Sequence, residues 1–144
     1  MKHLGSPAVP VSWGELLDKI TILEIKLARI ARPDARANVA KEHRLLGEIG
    51  SSAIERAEVA PLLGALRQVN EALWDIEDAI REQEAQARFG AEFIQLARSV
   101  YKRNDERADI KRRINAILGS DLIEEKSYAG IAAAPAEAGA VSAP

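Results

Sequence analysis

The chain has no cysteine among its 144 residues and only two histidines, His3 and His43. Disulfides and thiolate chemistry are therefore excluded, and a reducing compartment is allowed. Neither a histidine-based zinc site nor a Ser-His triad can be assembled, since His3 lies in a Gly/Pro-punctuated lead-in and His43 on a weakly patterned segment. Aromatic residues make up only 4%, which with abundant Ala, Leu, Ile, Glu and Arg favours packed helices over sheets. Neither sign of charge is in large surplus: 20 Lys and Arg stand against 22 Asp and Glu, a net charge of -2. That removes the broad basic field on which non-specific nucleic-acid binding relies. No apolar run approaches the ~20 residues of a membrane span. The opening MKHLGSPAVPV is broken by Gly5, Pro7 and Pro10 and does not read as a signal-peptide core, so a cytoplasmic location is expected. There is no Gly-rich phosphate loop and no nucleophile elbow.

What is present is helical periodicity. After an extended lead-in over 1–11, Ser12 with Glu15 forms a capping box. Leu16, Ile20, Leu23, Leu27 and Ile30 then step by four and three, one stripe on one face, in a helix ending near Ala31 ahead of Pro33. Pro33 and Asp34 suit the first turn of a second helix, to about Ala57, whose stripe is weaker and which contains Gly47 and Gly50. From Pro61 the residues Leu62, Leu66, Val69, Leu73, Ile76 and Ile80 keep the four-three spacing until about Arg88. Gly90 makes a short reversal. A fourth helix of similar length runs from about Ala91 to Leu118, with Gly119 suited to the left-handed position after it. Ser120 or Asp121 could cap a short last turn, DLIEEK. The expected fold is all-α: an antiparallel four-helix bundle dominated by a long hairpin, 61–88 and 91–118. The domain spans 1–128, and 129–144 is an Ala/Pro-rich tail expected to be disordered.

Beside the apolar stripes run polar ones. On the third helix Asn70, Trp74, Glu77, Arg81 and Glu84 share a face. On the fourth, Tyr101, Asn104, Lys111 and Asn115 occupy positions whose spacing turns them inward or to the core's border. The first helix adds Thr21 and Glu24, with Asp18 one turn earlier. In the structural reading, Glu77 and Glu84 pair with Arg107 or Lys111: residues 75–84 are acidic, and 101–113 hold six basic residues against three acidic. Such complementarity between neighbouring helices is common and usually structural. In the functional reading, Glu24, Trp74, Glu77, Arg81, Tyr101, Asn104, Arg107 and Lys111 line a cleft between the first, third and fourth helices that binds an anionic or sugar-like ligand. A weaker signal is the carboxylate pairs Glu15/Asp18 and Asp75/Asp78, which at one-turn spacing could hold Mg²⁺ as in all-α nucleotide pyrophosphohydrolases. No metal or other cofactor is otherwise implied.

Four blocks carry a resemblance: PVSWGELLDKITILEIKLARI at 10–30, NEALWDIEDAIREQE at 70–84, and FIQLARSVYKRNDERADIKRRIN and GSDLIEEKSY within 93–128. Together they resemble a family of small bacterial proteins defined as a domain of unknown function. The resemblance implies a setting among genes for cell-surface polysaccharide or lipopolysaccharide assembly, near glycosyltransferases and tetratricopeptide proteins, and assigns no catalytic residue. Because EEKSY lies inside the matching blocks, Glu124, Glu125, Lys126 and Tyr128 are expected to fold back on the first or fourth helix. The function expected is a non-enzymatic binding or adaptor module serving envelope-polysaccharide assembly, with a small ligand or a protein partner. The alternatives are a Mg²⁺-dependent enzyme acting on nucleotides or sugar nucleotides, and a structural module that forms homo-oligomers through the stripe from Leu62 to Ile80.

Overall fold

In a computed structural model, which describes residues 2–127, four helices follow one another: α1 Trp13–Arg29, α2 Pro33–Ile54, α3 Ala60–Ala85 and α4 Ala91–Leu118. Among the described residues there is no strand, and no helix is long and apolar enough to cross a membrane. The all-α four-helix bundle that the spacing predicts is the fold observed. The tail expected over 129–144 lies outside the described residues.

α3 and α4 have 26 and 28 residues and are therefore ~40 Å long. They pack along each other as the expected antiparallel hairpin. α1, with 17 residues, lies in the groove of that hairpin and touches all three other helices, while α2 packs chiefly on α1. The core forms where α1 meets the others: Leu17, Val59, Leu66 and Ile114 are fully buried, with Leu16, Ile20 and Ala53 around them. At the far end of the hairpin, beyond α1, the helices have only each other. There Phe89 and Ile94 are more than half exposed, and Phe89 meets Phe93 edge to face at 5.3 Å. The Leu62 to Ile80 stripe is used within the chain, since Leu66, Val69 and Leu73 are buried against α1 and α4.

Helix ends follow the local chemistry, with some corrections. Ser12 caps α1 by accepting the Glu15 N–H at 3.1 Å. The Glu15 carboxylate does not complete a capping box; it turns to α4, where a buried ammonium is the stronger partner. Pro33 opens α2 as expected, but α2 stops at Ile54, where the Glu55, Arg56 and Val59 amides turn back on nearby carbonyls and seat Val59 in the core. Within the α3–α4 reversal the left-handed residue is Ala87, at φ 52, while Gly90 sits at the bend before α4 as its extended N-cap, at φ -85. The amides of Ala87 and Arg88 close the end of α3 on the Glu84 and Gln83 carbonyls, and this outweighs the modest cost of a left-handed alanine. Gly119 takes the left-handed position after α4 at φ 67. The short helical turn expected over DLIEEK is absent, and Leu122 and Ile123 are 47% and 57% exposed. The Ser120 hydroxyl that would have capped it instead accepts the Trp13 N–H at 2.9 Å and bonds Asn115 at 3.2 Å.

Candidate functional site

One face of α1 carries Gly14, Asp18, Thr21 and Ile25, stepping four, three, four, and each of the four is buried. A carboxylate in such a place must be paired or it costs several kcal/mol of lost hydration. Asp18, 1% exposed, is paired from two sides. Its Oδ1 accepts from Arg107 Nε at 2.8 Å and from Asn70 Nδ2 at 2.9 Å, and its Oδ2 accepts from Arg107 Nη2. The guanidinium thus grips the carboxylate with two nitrogens, the strongest geometry available to an ion pair. Asn70 also donates to Thr21 Oγ1 at 2.9 Å, while the Thr21 hydroxyl donates to the Asp18 carbonyl at 2.7 Å. One buried carboxylate therefore ties α1 to both arms of the hairpin. Arg107 is held more firmly charged than usual, first by its hydrogen bonds to Asp18, against the opposing pull of burial. Among the described residues no buried side-chain nitrogen or oxygen lacks a partner.

One turn further along α4, Lys111 is 8% exposed. Its Nζ donates to Glu15 at 2.8 Å and to Glu124 at 3.0 Å. Burial pulls its pKa down, but the two carboxylates with Asp18 behind them raise it above the ordinary lysine value. Lys111 in turn holds Glu124 below the ordinary carboxylate value. Next to it α1 and α4 touch. A Cβ on Gly14 would sit 2.6 Å from the Lys111 carbonyl oxygen, and the Gly14 N–H donates to Asn115 Oδ1 at 2.6 Å. Only glycine allows that approach.

Above this layer lies an open groove of about 440 Å³ between α1, α3 and α4. Its floor is Ile22, Ile25 and Leu73. Trp74, Glu77, Asp78, Arg81, Asn104 and Arg107 form the rim. Arg29 lies over the Trp74 ring, 5.9 Å from its centroid, and pairs with Asp75 at 2.5 Å. Towards the Lys111 end the groove neighbours a second space of about 240 Å³, which shares Asn104 and Arg107 and adds Glu15, Lys111, Glu124 and Lys126.

Of the eight residues proposed from the sequence, five (Trp74, Glu77, Arg81, Asn104 and Arg107) line the groove together, and Lys111 lines the neighbouring space. Glu24 is elsewhere: it pairs with Arg67 at 2.8 Å and stands 4.0 Å from His43. Tyr101 is 54% exposed and outside the lining. The expected partners also change. Glu77 pairs along its own helix with Arg81 at 3.5 Å, while Arg107 and Lys111 take carboxylates from α1 and from the C-terminal segment. In the sequence Asp18 reads as a neighbour of Thr21 and as half of the Glu15/Asp18 carboxylate pair, although an Asp flanked at helical spacing by Gly14, Thr21 and Ile25 is a signal for a buried ion pair. Glu124 folds back on α4 and Lys126 lines the groove's end, while Tyr128 lies outside the described residues.

Three of the four carboxylates considered for Mg²⁺, Glu15, Asp18 and Asp75, each face a cation of the chain itself. Among the described residues no three or more His, Cys, Asp or Glu side chains stand together so as to hold a metal ion. A family model described as a family of unknown function (DUF6165) matches residues 8–141. No curated protein and no solved structure matches the chain.

Proposed function

Since the chain belongs to the DUF6165 family, whose description assigns no activity, its role has to be read from the groove, and we propose that it is a non-enzymatic binding or adaptor module for a sugar-like ligand. The observation that carries this reading is the make-up of one space: an indole and three aliphatic side chains together with two carboxylates, two amides and two guanidiniums. A pyranose has the same duality. Its C–H face lies against an aromatic ring, and its hydroxyls donate to carboxylates and amide oxygens while accepting from guanidinium and amide N–H groups. The volume lies in the range of small-molecule sites.

Charge narrows the ligand class. In this part of the groove Arg107 is neutralised by Asp18, Arg81 pairs with Glu77, and Asp78 adds a further negative charge to the lining. No positive charge is left over, which favours a neutral, hydroxyl-rich moiety over an anion here. The setting we infer is bacterial envelope-polysaccharide assembly in the cytoplasm; it rests on the resemblance of the four sequence blocks to proteins of such gene clusters.

Isothermal titration calorimetry against neutral mono- and disaccharides tests the reading. Saturable binding is expected, weakened about tenfold, or ~1.4 kcal/mol, by Trp74→Leu or Asn104→Ala and untouched by Tyr101→Phe. A folded protein that binds no sugar of the panel, or binds with the same affinity in the Trp74 and Asn104 variants, would overturn it.

A further inference from the structure

We propose that the basic end of the groove is a phosphate subsite occupied at rest by the chain's own Glu124, so that the ligand is a phosphorylated sugar. This rests on the reading of the groove as a sugar site and names the class of sugar. The two spaces are neighbours that share Asn104 and Arg107 in their linings. They differ in charge. The end space brings together Arg107, Lys111 and Lys126, and the carboxylate set against Lys111 from outside the helical core is that of Glu124, 3.0 Å from the ammonium.

Glu124 reaches this place on a segment that has little else to hold it. Residues 121–127 form neither helix nor strand and are exposed throughout, including Leu122 and Ile123. A segment without a buried apolar anchor is placed by its polar contacts, and an ion pair whose acid is nearly half exposed is a weak one. Both partners are fully ionised at neutral pH, because each pushes the other's pKa away from neutrality. A carboxylate oxygen resting on a buried ammonium, with a guanidinium and a second ammonium lining the same space, presents the contacts that a phosphate oxygen would make. With Glu124 displaced, Arg107, Lys111 and Lys126 face Glu15 and Asp18, one net positive charge. A phosphate ester is then drawn in, while the sugar it carries reaches Trp74. Displacement also frees the segment, which gives an adaptor a ligand-dependent change at its C-terminal end.

The test is calorimetry on the full chain with glucose, inorganic phosphate, glucose 1-phosphate and UDP-glucose. Expected is tighter binding of glucose 1-phosphate or UDP-glucose than of glucose, the stronger of the two identifying a monophosphate or a diphosphate-linked source. Glu124→Gln should tighten the phosphate-bearing probes about fivefold to tenfold and leave glucose unchanged, and Lys126→Ala should weaken only the phosphate-bearing probes. Glucose binding with no gain from phosphate, or phosphate-dependent binding indifferent to Glu124→Gln, would overturn the subsite and leave the sugar reading intact. Phosphate binding tightened by Glu124→Gln with no contribution from the sugar would keep the subsite and overturn the sugar reading. Silence from every probe overturns both.

Discussion

Replacing Arg107 with methionine should be the most damaging single change to the polar layer, and more damaging than removing the acid it grips. The guanidinium supplies two of the three side-chain hydrogen bonds to the Asp18 carboxylate, leaving only Asn70 Nδ2. The asymmetry lies in exposure: the Asp18 side chain is 1% exposed and that of Arg107 28%. Arg107→Met strands a carboxylate that water cannot reach, which costs about 3–5 kcal/mol. Asp18→Asn leaves a guanidinium that can turn to solvent, and the loss is closer to that of charge-assisted hydrogen bonds, about 1.5–3 kcal/mol. For a chain of this size each kcal/mol lowers Tm by roughly 3–6 °C, so Arg107→Met should fall by about 10–25 °C and Asp18→Asn by about half as much. The double variant should be less destabilised than the sum of the singles by at least ~1 kcal/mol, since neither charge remains to be stranded. Urea unfolding of the four proteins measures all three terms. Equal losses in the two singles, or strict additivity in the double, would refute the claim that an ion pair closes this bundle.

Two further outcomes follow from the same geometry. Gly14→Ala drives a Cβ to 2.6 Å from the Lys111 carbonyl and should cost about 1–3 kcal/mol by pushing α1 off α4, whereas Gly64→Ala, with nothing within 4 Å, should stabilise by about 0.5–1 kcal/mol through the entropy of the unfolded chain; thermal melts that rank them the other way would contradict the contact. The contribution of Glu124, whose folded pKa is lowered from 4.5, is present above that value and lost as pH falls through the lowered one, while that of Lys111, raised from 10.5, is present below 10.5 and lost as pH rises past it. The contact should therefore be flat across neutral pH and worth no more than about 1 kcal/mol; amide chemical shifts of 121–127 should move towards random coil below pH ~4.5, and Glu124→Gln should show the same shifts at neutral pH. An unchanged spectrum in that variant would mean the segment is held by something else.

Much of the fold is legible in the residues because helix periodicity is a local property. Pro33 and Gly119 mark boundaries through their own backbone restrictions, and the stripe from Leu62 to Ile80 announces a buried face wherever its partner lies. Less of the site is legible, because facing two helices fixes neither their offset nor which third helix covers them. Tyr101 and Asn104 are one turn apart on α4, yet only Asn104 lines the groove, while Tyr101 is left more than half exposed. Glu24 shares α1 with Asp18 but points to Arg67, because six residues on a helix are 600° of turn, which sets the two side chains well apart around the axis.

The sequence by itself determined that the chain is helical, where its helices lie to within a few residues, and that polar rows accompany the apolar ones. Only the tertiary structure decided which charges meet. Asp18 joins Arg107 across 89 positions and Glu15 joins Lys111 across 96. Such pairs are selected by the close approach of α1 to α4 at Gly14 and by the burial that makes an unpaired charge intolerable, and neither is encoded in the spacing along any one helix.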